Sequence, residues 1–281
     1  MPPSYESQSF WEERFKKEDH FEWLGDGQGT IIPVLRLYLQ PYAENNAQAP
    51  PLLLHIGAGT STISDDLLEV YRNVYKKPMT SLVVLNTDFS EEVVRRGRQR
   101  TQESTEVTWE QLDLMLWNEM LALRDKVQRT EGKGFTFVVD KSTTDAISCS
   151  EDIRFEGGTL GNSPRHIHPL ILSTLSTSPK QDICLHPAEI LALHLASLTE
   201  PGAVWISLSY SSNRFPFIPN NQGKENRVKQ GVNVEKLWEL EYVEAMKVGE
   251  ERGETGATVH APDVFHYLYI LRRTNTVVVI S

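Results

Sequence analysis

Apolar and polar positions alternate in blocks along this chain. Residues 10–24 set Phe10, Trp11, Phe15, Phe21 and Trp23 among charges, which predicts an amphipathic helix dense in aromatics. A second helix is predicted over 31–38, ending before Pro41, and PYAENNAQAPP (41–51) reads as a polar linker. Residues 52–56 are an apolar run followed at once by glycines (LLLHIGAGTSTIS), the pattern of a buried parallel strand. Strands and helices then take turns: helix 64–75, strand 82–85, helix 91–100, a weaker strand at 107–111, helix 115–129 and strand 135–139. Helix 187–198 follows, with Pro187 at its first position, and strand 203–208 comes after a Pro201-Gly202 turn. This alternation predicts an α/β protein with a doubly wound, mostly parallel sheet. Two β-like segments near the end, 240–248 and 264–271, flank GEERGETGAT and predict an antiparallel C-terminal hairpin at the sheet edge. The stretches 148–182 and 211–234 read as irregular. Both follow carboxyl ends of strands, where substrate loops sit in such sheets.

The 281 residues are read as one domain, with an N-terminal helical lid segment (1–45) over a core (52–281). Hydrophobic residues make up 40%, enough for a sizeable core. Lys+Arg 28 against Asp+Glu 38 leaves a net charge of −10, and an acidic surface repels phosphates, so no nucleic-acid partner is expected. Cys149 and Cys184 are too few for a disulfide framework or a four-thiolate zinc site. No run approaches the ~20 apolar residues that span a bilayer, and the N-terminus lacks a secretory pattern. The expectation is a cytoplasmic protein with no membrane partner.

The loop Gly57-Ala58-Gly59-Thr60-Ser61 leaves a buried strand and opens a helix, where two glycines allow close approach of a ligand. Asp88 ends the second strand and can accept both hydroxyls of a ribose; a helix N-terminal charge or a turn with Ser90 is the other reading. Asp113 ends the third strand candidate, within reach of an adenine amino group. One aspartate per successive strand end makes an adenosine pocket the better account. At the fourth strand end, Asp140-Lys141-Ser142-Thr143-Thr144-Asp145 could orient a substrate or close a salt-bridged loop. His166, His168, His186 and His194 match no metal spacing, so no metal is expected. Neither Gly-x-Ser-x-Gly nor a phosphate-loop Gly-Lys-Ser/Thr occurs.

The series FWEERF (10–15), FEWLG (21–25), LLLHIGAGTSTIS (52–64), VVLNTDFSEEVV (83–94), LDLM (112–115) and VVDKSTTDAI (138–147) resembles the class I S-adenosylmethionine-dependent methyltransferases. More narrowly, it is similar to the methyltransferase-like branch that includes the elongation factor 1-alpha lysine methyltransferases. The resemblance implies a seven-stranded Rossmann-like methyltransferase fold and S-adenosyl-L-methionine as cofactor. It implies that Gly57, Ala58, Gly59 and Ser61 flank the methionine part, that Asp88 holds the ribose, and that His55 and Ser90 are further cofactor-binding residues, with His55 at the place of the methionine amino contact. Phe89 and Leu114 would line the adenine slot, with Asp113 at the amino group. Asp140 would sit beneath the sulfonium beside Lys141, and Asp140, Lys141 and Asp145 are the implied catalytic set. Trp11 and Arg14 would fold over the site, Arg14 meeting the cofactor carboxylate.

Four positions depart from the family pattern: His55 replaces an acid, Ala58 a cysteine, and Ser142 and Thr144 a glycine and a leucine. The first expectation for the reaction is N-methylation of a protein lysine, with Trp11, Trp23, Tyr210 and Phe215 as an aromatic rim that desolvates the amine. The alternatives are a small-molecule methyltransferase and a catalytically silent cofactor-binding subunit. A closed apolar cavity would favour the small molecule. An NAD-dependent oxidoreductase is disfavoured, since Asp88 lies 31 residues after Gly57 (88 − 57) rather than the ~20 of that fingerprint.

Overall fold

The computed structural model describes residues 3–45, 50–157, 166–178, 181–218, 232–248 and 263–278. Two helices come first, α1 (Gln8–Lys17) and α2 (Ile31–Asn45). The alternating region holds β1 (Leu53–Ile56), α3 (Ile63–Tyr75), β2 (Val84–Asp88), α4 (Glu91–Arg100), β3 (Val107–Gln111), α5 (Trp117–Glu131) and β4 (Phe135–Lys141). Then follow α6 (Thr143–Ile147), β5 (Ile153–Phe155), α7 (Pro169–Thr177), β6 (Ile183–Leu185), α8 (Pro187–Leu198) and β7 (Thr199–Ser209). The chain closes with β8 (Trp238–Lys247) and β9 (Phe265–Arg273).

Seven strands form one sheet in the order β3-β2-β1-β4-β7-β9-β8. The first five are parallel, with β1 registered on β2 (Leu53↔Val84) and on β4 (Leu53↔Phe137). The predicted hairpin is present, and its second strand is the inner one: β9 pairs antiparallel with β7 on one side and β8 on the other. Each face of the sheet carries its own core. Trp117, Met120, Leu123 and Val127 of α5 pack with α7 and α8 on one face. Helices α1 to α4 cover the other, anchored by Phe15, Leu35, Leu39, Leu67, Val93 and Val94. Every residue of β4 is buried, as expected of a central strand under two helical layers.

Several boundaries differ from the sequence expectation, each for a local reason. The first helix ends at Lys17, not residue 24: the backbone turns extended at Glu18 (φ −112, ψ 119), and Leu24 (φ 62) and Gly25 (φ 74) then adopt left-handed conformations that no α-helix contains. Phe21 and Trp23 therefore belong to an irregular strap. Helix α2 runs through Pro41 to Asn45. The carbonyl that Pro41 leaves without an amide donor belongs to Leu37, which is 68% exposed and can turn to water. Strand β2 lies later than 82–85, because pairing with β1 continues to Ile56↔Thr87 and takes in the polar, buried Asn86, Thr87 and Asp88. The described residues of 148–182 are not all irregular: β5 pairs antiparallel with β6, which lies just beyond this stretch, and α7 packs beside them, while 158–165 and 179–180 lie outside the described residues. GEERGETGAT and most of 211–234 lie outside the described residues.

Candidate functional site

The carboxyl ends of β1, β2, β3 and β4 open into one cavity of about 330 Å³, roofed by the N-terminal segment. The glycine loop forms its floor. Gly57 has φ 55, and a Cβ there would lie 2.1 Å from Thr143 Oγ1, so only glycine lets β1 and α6 meet. Asp88 stands at the end of β2. Its Oδ2 accepts the Gly59 amide at 2.9 Å and its Oδ1 the Ser90 amide at 2.9 Å. A carboxylate offers about four lone-pair sites, so each oxygen keeps capacity for a hydroxyl donor. Burial, only partly offset by those amides, pushes Asp88 up to about 6. At the next strand, Asp113 folds back on the Met115 amide (2.9 Å), and Phe89, Leu112, Leu114 and Met115 give the adjoining wall its apolar character.

The N-terminal strap supplies the roof. Trp11, packed on Phe15 with ring centroids 5.6 Å apart, donates from Nε1 to the Tyr5 carbonyl at 2.6 Å. Tyr5 in turn meets Trp23 edge-on at 5.0 Å, and the Gln8 amide reaches the Phe89 carbonyl at 2.6 Å. Glu22 accepts from Ser61 Oγ at 2.8 Å and from the Thr62 amide at 3.0 Å, tying the strap to the glycine loop. Burial raises the Glu22 pKa, but the hydrogen bonds from Lys141 and Thr62 outweigh it and leave the group below its ordinary value. The opposite wall is α6 and the segment after it, through Ala146, Ile147, Ser150 and Ile153.

Of the residues singled out in the sequence, the cavity is lined by Trp11, Phe15, Phe21, Trp23, His55, Gly57, Ala58, Gly59, Thr60, Ser61, Asp88, Phe89, Asp113, Leu114, Lys141, Ser142 and Thr143. The rest stand behind it. Ser90 caps α4 through the Val93 amide and bonds Glu12 at 2.5 Å. Arg14 pairs with Glu18 at 3.1 Å and covers the Phe21 ring at 3.7 Å, outside the lining. Asp140 is fully buried; its carboxylate accepts the Thr143 amide (2.8 Å), Ser207 Oγ (2.8 Å) and Thr144 Oγ1, which holds the β4–α6 turn. Burial raises it to about 6. Asp145 accepts Ser209 Oγ at 2.6 Å and pairs with Arg214 at 2.7 Å. His55 is buried and pushed down to about 4 by desolvation, its Nδ1 2.9 Å from Asn86 Oδ1, so it stands neutral where the family pattern has an acid. Phe215 is no rim residue: it is buried against Trp205 and Tyr269, whereas Tyr210 meets Trp23 at 6.1 Å. Glu22 and Tyr5 escaped the sequence reading, since a single acid inside an aromatic run carries no motif.

No family model matches the chain. It is 26% identical over 273 residues to Methyltransferase srdJ of Neurospora crassa, covering 96% of this chain and 84% of that one. Among solved structures it is similar to the N-methyltransferase NodS of Bradyrhizobium japonicum (10% identity, TM-score 0.43, 94% and 98% of the two chains). It is also similar to an O-methyltransferase of Bacillus cereus (13% identity, TM-score 0.38, 97% and 91%). The sheet has five parallel strands with crossovers, then one antiparallel strand slipped inside the last. The chain has a Rossmann-like methyltransferase fold, and its sequence is similar to that of a methyltransferase.

The cavity also has chemistry that fits the cofactor the sequence resemblance implies. Thr60 Oγ1, on the glycine loop lining it, is buried with no hydrogen-bond partner among the described residues, and a ligand's polar end would satisfy it. Among the described residues no cluster of His, Cys, Asp or Glu could hold a metal ion, and no helix is long and apolar enough to cross a membrane.

Proposed function

We propose that this methyltransferase transfers a methyl group from S-adenosyl-L-methionine to a small-molecule acceptor, rather than to a protein lysine. The observation that supports the acceptor class is the roof: residues 5–23 lie across a mostly apolar cavity of about 330 Å³ and narrow its mouth, which suits a compact acceptor better than a folded protein surface. The comparison supports the reaction type through a relative bearing the name methyltransferase.

In this reading Asp88 takes the ribose hydroxyls, Asp113 the adenine amino group, and Phe89 and Leu114 the base faces. The glycine loop gives the methionine part room, with Thr60 Oγ1 and Ser61 as its polar contacts. When bound, S-adenosylmethionine supplies a methyl already activated on a sulfonium, so the protein's work is alignment and exclusion of water. Trp11 and Trp23 exclude water from above, and the α6 wall does so from the side. The acceptor enters between Tyr5-Glu6 and Ile147-Ile153. Glu6, an exposed carboxylate on that margin, would take the proton that the acceptor's nucleophilic atom sheds as its bond to the methyl forms and the methyl–sulfur bond breaks, with S-adenosylhomocysteine as the leaving group.

The test uses methyl-labelled S-adenosylmethionine with an extract of the source cells split into macromolecular and small-molecule fractions. Label in the small-molecule fraction, lost with Asp88→Ala, is the expected result. Label confined to a protein band restores the lysine reading. Tight cofactor binding with transfer to neither fraction makes the chain a silent cofactor-binding subunit.

A further inference from the structure

Three non-glycine residues in the described chain have left-handed backbone, and two of them, Leu24 (φ 62) and Ser142 (φ 68), flank one side chain. That side chain is Lys141. Its Nζ donates to Glu22 Oε2 at 2.5 Å, to the Trp23 carbonyl at 2.9 Å and to the Gly25 carbonyl at 2.9 Å. An ammonium has three protons, and all three are used. Lys141 therefore has none left for a substrate, although its side chain is 5% exposed on the cavity wall.

The strained backbone follows from this arrangement. Consecutive left-handed residues, Leu24 and Gly25, curl the carbonyls on either side of Leu24 toward one point, where the ammonium sits. A left-handed leucine persists only where its surroundings over-determine it. Ser142, on the β4 side, turns the chain directly from Lys141 into α6. Glu22 completes the junction by holding Ser61 and Thr62 with the oxygens that also face Lys141. One buried cation thus joins the strap, the glycine loop and the β4 end.

We propose that Lys141 is a positioning residue: its ammonium clamps residues 22–25 onto the end of β4 so that Trp23 roofs the cavity and holds the cofactor in place. This rests on the cofactor reading of the cavity. It replaces the expectation that Lys141 acts on the reacting groups, because the cation is spent on the strap.

Two measurements on the full chain test the clamp. The first needs no ligand: amide exchange of peptides covering 20–27 rises in Lys141→Met while peptides of β1 and β2 keep their protection. The second is the dissociation rate of S-adenosylhomocysteine, followed by tryptophan fluorescence. It should rise about tenfold or more in Lys141→Met, as expected for losing three charge-assisted hydrogen bonds. In Lys141→Ala, added n-propylammonium should restore slow release and n-propanol should not. Should Lys141→Met fail to fold, Glu22→Gln keeps the shape, weakens the clamp and is read the same way. Faster strap exchange with an unchanged release rate overturns the proposal and leaves the clamp a purely structural contact. A wild-type protein that binds no S-adenosylhomocysteine overturns the cofactor reading and this proposal together.

Discussion

Replacing Gly57 by alanine tests whether the glycine loop is as tightly bound to α6 as the geometry says. At φ 55 a non-glycine residue costs about 1–2 kcal/mol on backbone grounds. The added Cβ would also sit 2.1 Å from Thr143 Oγ1, 2.6 Å from Cγ2 and 2.9 Å from Cβ. Rotating Thr143 does not remove the last overlap, and the rotation would break its 3.0 Å bond to the Ile56 carbonyl. Overpacking of this kind costs about 1–3 kcal/mol. Gly57→Ala should therefore destabilise by about 2–5 kcal/mol. Gly59→Ala is the internal control: its φ is 56, yet the nearest atom to its Cβ is Phe15 Cζ at an ordinary 3.7 Å. Only the backbone cost remains there, about 1–2 kcal/mol. Urea unfolding of both variants, with Thr143→Ala and the double variant Gly57→Ala/Thr143→Ala, completes the cycle. The double variant should recover part of the loss, a coupling of about 1–3 kcal/mol. Equal destabilisation by the two glycine variants, or strict additivity in the cycle, refutes the close-packing argument.

Three other outcomes are expected. Asp88 is raised to about 6 by burial, and ribose hydroxyls need it ionised, so cofactor affinity measured by calorimetry should fall toward tenfold per pH unit below pH 6 and lose that dependence in Asp88→Asn. Desolvation lowers His168 to about 3 and His194 to about 4, so between pH 4 and 6 each is neutral when folded and protonated when unfolded. Each then lowers stability on acidification, against the opposite slope of the raised Asp88 and Asp140, and His168→Asn should remove about 1.4 kcal/mol per pH unit of that loss in urea titrations. Asp145→Ala strands the Arg214 guanidinium, whose side chain is 15% exposed, and frees Ser209 and the Tyr210 amide, so it should cost about 3–5 kcal/mol in chemical unfolding, with Arg214→Met in the same chain recovering part.

The sequence by itself determined the layered architecture. Apolar runs at β1, β4 and α8 and amphipathic periods at α3 and α4 state local preferences that burial on a parallel sheet satisfies without further information. It also determined the three cavity aspects whose signal is local: glycines at 57 and 59, an acid ending β2 and an acid after β3. Tertiary structure decided the rest. Strand β2 extends to Asp88 because its neighbours offer hydrogen-bond partners to Asn86 and Thr87, a gain invisible to a hydrophobic pattern. Residues 18–25 leave the helix because three acceptors from that segment gather on Lys141, a residue more than a hundred positions away in the chain. The same long-range contact spends the Lys141 ammonium on residues 22–25, and the hydrogen bonds of Asp140 and Asp145 direct two carboxylates toward the turn they stabilise. Those roles depend on which partners reach each charge first, and chain separation hides that from any local reading.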